Sequence, residues 1–239
     1  LRTLETPDAM TSLEGTPVIF TRPARLIKRL CVWAHEGYDQ RGFESLVLDG
    51  LLDLPEGMTL FEVAGAIRGL RIGGGKERWR TRLAEERSAI TARQGDPEQA
   101  HRQAWWARQD EVIDAVGTVL ERLFVWLEPF ESEGVSAGDL FAAIVTILTE
   151  VSNHPTQADS LSRQRLVDTF GQLAAWHERY PKSRDREGML DEIAEVIDTL
   201  KIGALGPQPG QLFVAPLIQG GHSGRKHVFI VGMNDHAFP

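Results

Sequence analysis

A glycine loop with basic flanks is the segment whose residue types are best suited to chemistry. Gly73-Gly74-Gly75-Lys76 places consecutive backbone N–H groups near a helix start, where they can bind an anion such as a DNA phosphate. Lys and Arg side chains bind nucleic acid independently of its sequence, and an aromatic ring can add base stacking. We therefore predict a DNA-contact surface in this segment. Its residues are Arg68, Arg71, Lys76, Arg78, Trp79, Arg80 and Arg82.

The same side chains also fit a structural role. Arg78 and Arg82 can pair with Glu85 and Glu86 on a solvent-exposed helix face, while Trp79 packs inward. Runs of charge on helices usually form such faces, so the sequence leaves both interpretations open. Solubility explains a second basic group in the same way; it consists of Arg22, Arg25, Lys28 and Arg29.

Nucleotide and metal sites are not predicted, and we expect no cofactor in this chain. A Walker A loop needs glycine at the position of Leu70 and Ser or Thr at that of Glu77, and a strand must precede it. His222, His227 and His236 have only one acidic residue nearby and no cysteine, which leaves a metal-ligand set incomplete.

Composition limits the remaining function classes. The 239 residues are 42% hydrophobic and 25% charged, which is ordinary for a globular protein with a substantial core. Because the formal net charge is −8, any DNA contact must be local and weak. Cys31 is the single cysteine, which excludes an internal disulfide, and we expect it to be a small buried apolar residue. No apolar run approaches the roughly 20 residues of a membrane span, so we expect a soluble, cytoplasmic protein.

Helical periodicity surrounds the glycine loop. Thr59 and Glu62 have the spacing of a capping box at the start of one helix. Apolar residues at helical spacing then predict helices over about residues 76–93 and 97–127. The predicted DNA-contact residues therefore lie on two helix ends and the loop between them.

Capping residues mark further helices outside this region. Thr21 precedes Arg22-Pro23 and is predicted to be the N-cap of an early helix. Ser136 with Asp139 caps another helix, and two more follow before Gly203 ends the helical part.

Short apolar runs near both ends of the chain predict strands. The first run is Val18 to Phe20, and the others are Gln211 to Leu217 and Val228 to Val231. Their nearly continuous apolar character is typical of buried strands. Because strands need partners for their backbone groups, we predict that the first run lies in the same sheet as one of the others.

Two segments resemble superfamily 1 DNA helicases of the UvrD type. Residues 228–239 read VFIVGMNDHAFP, similar to a helicase strand that leads into a short acidic turn and ends in Phe-Pro. Gly15-Thr16-Pro17-Val18 and the amphipathic helix after it resemble the strand that leads into the helical insertion called 2B. The two segments occur in the family's order.

This resemblance implies an α/β fold that is predominantly α-helical. A small, mostly parallel sheet like the helicase 2A domain would be interrupted by a large helical insertion like 2B. The 2A-like part would comprise residues 1–57 and 206–239, and the insertion residues 58–205. We expect the chain to be a fragment of a longer protein.

Helicase motif V is degenerate in this sequence. Pro216 to Lys226 reads PLIQGGHSGRK, and Ile218 and Gly221 stand where the family has its histidine and lysine. Such loss is typical of the inactivated helicase parts of AddB-type and RecC-type subunits. These belong to helicase–nuclease (exonuclease) complexes that process double-strand breaks in DNA recombination and repair.

The resemblance implies a segment that is not catalytic by itself and that guides DNA or docks a partner subunit. Its parent would be a subunit of an ATP-dependent helicase–nuclease. The turn at the position of motif V adds three predicted DNA-binding residues, although a plain surface loop explains them equally well. They are His222, Arg225 and Lys226.

Two other function classes stay open. An active ATP-dependent DNA helicase is the first, and an intact Walker A motif in the parent would favour it. A helical scaffold or interaction protein unrelated to DNA is the second, and it would be favoured if no sheet joined the two ends of the chain.

Overall fold

Helical periodicity in the sequence produces a mainly helical structure. The computed structural model describes residues 10–12, 15–131, 136–151, 155–180, 185–203, 212–214 and 227–231. The α-helices in these ranges are α1 (Arg22–His35), α2 (Gln40–Leu48), α3 (Leu60–Leu70), α4 (Lys76–Gln94), α5 (Gln103–Trp126), α6 (Ala137–Glu150), α7 (Gln157–Arg179) and α8 (Arg186–Thr199). Single-turn or slightly longer 3₁₀ segments are Val18–Phe20, Pro97–Arg102 and Glu128–Phe130. The strands are β1 (Met10–Ser12), β2 (Thr16–Pro17), β3 (Lys201–Ile202) and β4 (Leu212–Val214).

Two predicted helix starts are confirmed by their hydrogen bonds. The backbone N–H of Thr59 donates to Glu62 Oε2 at 3.0 Å, and the N–H of Glu62 donates to Thr59 Oγ1 at 3.2 Å, which is a complete capping box for α3. At α6, the N–H of Asp139 donates to Ser136 Oγ at 3.1 Å. All three bonds join residues three positions apart, so the sequence pattern was sufficient to find them.

The start of α1 is capped differently from the prediction. Thr21 is the N-cap by position, but its hydroxyl donates to Val18 O at 2.6 Å and lies 2.7 Å from Ser162 Oγ. The first helical N–H, that of Arg22, donates instead to Asp159 Oδ1 on α7 at 2.8 Å. Helix α1 therefore depends on α7 for its N-terminal cap.

A cluster of aromatic rings joins α1, α2, α4 and α5. Trp33 on α1 stacks on Phe43 of α2 and Phe124 of α5, and Phe43 meets Trp79 of α4 edge to face. The ring of Tyr38, in the loop between α1 and α2, packs edge-on against Trp33. These large buried surfaces fix α4 and α5 against the N-terminal helices.

The predicted strand at Val18–Phe20 is wrong, because these residues form a 3₁₀ turn. The pairing of β2 with β3, which is antiparallel, extends only as far as the N–H of Val18, which donates to Leu200 O at 3.0 Å. The N–H and hydroxyl of Thr21 then both donate to Val18 O, which closes the turn into α1. The three consecutive apolar residues fit the pattern of a strand. The chain must turn there, however, because α1 begins two residues after Phe20.

The prediction that Val18–Phe20 shares a sheet with one of the C-terminal runs is therefore wrong, and a different N-terminal segment pairs with the run at 211–217. Strand β1 pairs in parallel with β4, with Met10 opposite Leu212 and Ser12 opposite Val214. Strand β4 lies within the predicted run at 211–217, whose other residues are outside the described ranges. A larger parallel sheet of the helicase 2A kind is absent from the described residues, which contain two sheets of two strands each.

The predicted buried strand at Val228–Val231 is also wrong. These four residues have no regular secondary structure, and their side chains are exposed. Within the described ranges no strand pairs with them, so nothing covers their apolar side chains. Residues 232–239, which complete the helicase-like segment, lie outside those ranges.

One hydrophobic cluster runs from Val18 to Ile202 and includes residues on both sides of the predicted boundary between residues 57 and 58. The division into a 2A-like part and an insertion stays a prediction. Among the residues described, no helix is both long enough and apolar enough to cross a membrane.

Candidate nucleic-acid interface

The glycine loop between α3 and α4 packs closely against the loop between α1 and α2. The N–H of Gly75 donates to Gly37 O at 2.8 Å, and the N–H of Ile72 donates to Gln40 Oε1 at 2.5 Å. A Cβ atom at Gly74 would lie 3.0 Å from Gly37 O, so the close approach of the two backbones requires glycine there. Loop packing thus uses part of the backbone that we had assigned to anion binding.

Most of the predicted DNA-contact cations are paired with carboxylates. Arg68 Nε lies 2.6 Å from Glu44 Oε1, and Lys76 Nζ lies 2.8 Å from Glu131 Oε2. Lys76 also faces the rings of Tyr38 and Phe124. Within this part of the basic segment, the positive charge is largely neutralised by acids from other elements.

Arg80 and Arg82 are paired in the same way. Arg80 Nε lies 2.8 Å from Glu121 Oε1 on α5, and its Nη1 lies 2.6 Å from Glu77 Oε1. These bonds raise the pKa of Arg80 and lower that of Glu121. Arg82 pairs with Glu85, and its Nε donates to Leu70 O at 3.1 Å. The interpretation of Arg82 as part of an ion-paired helix face is therefore confirmed, with Glu85 as its partner.

Trp79 cannot serve as a base-stacking residue in this structure. Its side chain is 0% exposed, and its indole Nε1 donates to Tyr38 O at 2.7 Å. The prediction of Trp79 as a DNA contact is corrected: both the ring and its donor belong to the core, because α4 packs this face against α2 and the Tyr38 loop.

Arg71 and Arg78 are the members of the predicted set that stay exposed and form no ion pair within the described residues. Arg71 adopts the left-handed conformation, with φ of 52°, where α3 ends. A guanidinium nitrogen of Arg78 would lie 3.9 Å from a Cβ placed on Gly73, so this charge lies beside the glycine loop. These two arginines are the part of the predicted surface that remains available to phosphate.

The remaining predicted residues lie elsewhere. His222, Arg225 and Lys226 are outside the described ranges, and their role stays a prediction. In the second basic group, Arg25 and Arg29 share Asp49 at 3.2 and 3.1 Å, and Lys28 pairs with Asp198 at 3.0 Å. These three cations form surface ion pairs that join elements of the fold.

A groove between α3, α4 and α5 escaped the sequence analysis. It encloses about 350 Å³ and is lined by aromatic rings, by glycines of α3 and by charged residues of α4. Phe61 is 82% exposed and Trp105 is 48% exposed. The one sequence signal was the spacing of Phe61, Gly65 and Gly69, which places small residues on the same helix face as an aromatic ring.

Desolvation raises the pKa of the partly buried Cys31 thiol to about 12, so this cysteine stays protonated against the core. In the described part of the chain, no three His, Cys, Asp or Glu side chains are grouped so that they could hold a metal ion. Comparison with protein-family models, with curated proteins and with solved structures found no match.

Proposed function

We propose that this chain is a non-catalytic, helicase-like segment of a subunit that processes DNA double-strand breaks, and that it guides DNA. The observation that carries this proposal is the parallel pairing of β1 with β4, near the two ends of the chain. Parallel strands need a crossover connection, and here that connection contains all eight described α-helices. This is the order expected of a small sheet interrupted by a helical insertion.

The sequence resemblance of Gly15–Val18 and residues 228–239 to UvrD-type helicases supports the assignment to DNA repair. The strands that this resemblance implies at Val18 and at Val228–Val231 do not form. Degenerate motif V and the missing Walker A pattern support a role without nucleotide hydrolysis in this segment. The parent would be an AddB-type or RecC-type subunit, with a helicase–nuclease partner.

DNA contact is assigned to the surface around Arg71 and Arg78. Two unpaired arginines in a chain with a net charge of −8 would bind DNA weakly and independently of sequence, with a steep dependence on salt. The paired cations at Arg68, Lys76 and Arg80 would contribute less, because a phosphate would have to displace a carboxylate that is already bound.

The test is a fluorescence-anisotropy titration with a single-stranded oligonucleotide at several salt concentrations. Replacing Arg71 and Arg78 with glutamine removes up to two phosphate contacts, so the slope of log K against log salt should fall by about 1.4. The matched control replaces Arg25 and Arg29, which also removes two positive charges but from residues paired with Asp49.

We expect the control variant to retain most of the slope. Equal losses in both variants would contradict the assignment of the surface. Absence of binding by the wild-type chain at low salt would contradict DNA guidance as the function of this segment.

A further inference from the structure

The groove between α3, α4 and α5 is open along the face of α3 that carries its glycines. A Cβ atom built on Gly65 or Gly69 would have no neighbour within 4 Å, so the space above this helix is unfilled. Phe61, one turn before Gly65, lines the same groove with its ring almost fully exposed. Across the groove stands Trp105, at the start of α5 and about half exposed. Two exposed aromatic rings thus line the groove.

Trp106, which lines the groove, has a hydrogen-bond donor without an acceptor among the described residues. Its side chain is only 7% exposed, and the indole Nε1 is buried. A buried N–H group without an acceptor is costly, and most such groups in proteins are paired. Trp106 also packs edge to face on Trp105, with ring centroids 4.3 Å apart, so the unsatisfied donor belongs to the same aromatic pair.

Cations border the aromatic pair. The guanidinium of Arg93 lies 4.8 Å from the centroid of the Trp106 ring, and that of Arg102 lies 5.4 Å from the centroid of Trp105. Arg71 directly follows Gly69 and Leu70, which line the groove at the C-terminal end of α3. Arg102 thus lies beside the exposed Trp105 ring, and Arg71 lies at the C-terminal end of α3, opposite to the end that carries Phe61.

The carboxylates of the groove are already bound. Glu62 accepts hydrogen bonds from Thr59 and from the Nε and Nη2 of Arg108, at distances of 3.1 Å or less. Glu86 lies 4.0 Å from Arg93. The groups that remain for a ligand are aromatic faces, an N–H donor and guanidinium charge. An occupant should be planar, rich in acceptors and negatively charged.

We propose that this groove binds a base of single-stranded nucleic acid, stacked on Phe61 and Trp105. The proposal rests on the function proposed above. It assigns base stacking to Phe61 and Trp105 in place of the buried Trp79. A ring nitrogen or carbonyl oxygen of the base accepts from Trp106, and the flanking phosphates face Arg102 and Arg71. The volume of about 350 Å³ lies within the range of small-ligand sites and suits a nucleoside. An aliphatic helix of a partner protein would match the donor and the cations less well.

The experiment compares two oligonucleotides of equal length and charge by fluorescence anisotropy at low salt. One is a 20-nucleotide oligothymidine, and the other is the corresponding abasic strand, which has the same phosphates without bases. The proteins are the wild-type chain, Phe61→Ala and Trp105→Ala. The control is Phe20→Ala, which removes an equally exposed aromatic ring outside the groove.

Base stacking on aromatic side chains predicts that the wild-type chain prefers oligothymidine over the abasic strand by on the order of tenfold. Phe61→Ala and Trp105→Ala should lose most of this preference and retain their affinity for the abasic strand. Phe20→Ala should behave like the wild type. Because the Phe61 ring is 82% exposed, its removal leaves the core intact, and circular dichroism would verify the fold.

Equal binding of the two strands by the wild-type chain would overturn the groove assignment while the proposed DNA function stands. A preference that persists in Phe61→Ala and Trp105→Ala would overturn it as well. If neither strand binds the wild-type chain at low salt, the proposed function itself fails.

Discussion

The basic segment at residues 68–82 and the groove between α3, α4 and α5 differ in how many of their binding groups stay available to a ligand. This difference cannot be predicted from their sequences. The basic segment has the higher density of cations, but Glu44, Glu121 and Glu131 approach it from elsewhere in the chain and neutralise much of its charge. The groove has a mixed composition, yet among the described residues it keeps two exposed rings and a tryptophan N–H without an acceptor. A count of residue types therefore measures what a segment contains, whereas availability to a ligand depends on what packs against it.

The largest expected effect comes from comparing Trp79, which the sequence predicted to stack on a base, with Trp105, which lines the groove. Trp79→Ala should lower the free energy of unfolding by about 3–5 kcal/mol, because it empties a fully buried site. Trp105→Ala should cost about 1 kcal/mol or less, because nearly half of its side chain is already in water. Urea unfolding followed by circular dichroism measures both. Similar losses for the two variants would show that Trp105 is a core residue and not a surface for ligands.

A pH experiment sharpens the description of the groove. Hydrogen bonds from Arg108 and Thr59 lower the pKa of Glu62 to about 2, from an ordinary value of 4.5. Because the pKa is lowered on folding, the charged carboxylate stabilises the folded state at pH values above its ordinary pKa of 4.5. This contribution is lost as the pH falls toward 2. Glu62→Gln should therefore lower Tm near neutral pH, with a difference from the wild type that shrinks progressively below pH 4.5.

Glu195→Gln is the control for this measurement, since Glu195 is exposed and forms no ion pair within the described ranges. Its Tm should follow that of the wild type at each pH. A constant difference between Glu62→Gln and the wild type down to pH 2 would contradict the role given to the charged carboxylate.

The smallest effect is expected for ATP on the glycine loop. Packing of Gly75 against Gly37, together with the absent Walker A pattern, predicts no shift of Tm at millimolar ATP, with or without DNA. If the chain bound ATP with a Kd well below millimolar, mass action would stabilise the folded state, and thermal melting would detect a higher Tm. A reproducible upward shift would mean that the glycine loop binds phosphate after all and would revive the active-helicase alternative.

Local sequence signals were sufficient for most of the helical part. The predicted helices at about 76–93 and 97–127 correspond to α4 and to a 3₁₀ segment followed by α5. The capping pairs of Thr59 with Glu62 and Ser136 with Asp139 were found because each bond spans three residues. In such cases the interacting groups and the geometry that joins them are both written into one short segment.

Strands and the candidate sites were predicted less well, because both depend on distant partners. Val18–Phe20 and Val228–Val231 have strand-like composition, but a strand exists only where another strand pairs with its backbone. Of the cations predicted to contact DNA, Arg71 and Arg78 stay available, and no local pattern distinguishes them from Arg68 or Arg80. The groove, which lies between three helices, has no continuous sequence signal.

The sequence by itself determined most of the helices, the caps of α3 and α6 and the absence of a Walker A pattern, since these follow from residues close together in the chain. Only the tertiary structure decided that Asp159 caps α1, that Trp79 is buried and that no described residue accepts a hydrogen bond from the indole N–H of Trp106. The physical reason is the same in each case. Burial and long-range pairing depend on which helix faces meet, and that choice is made by the packing of the whole core.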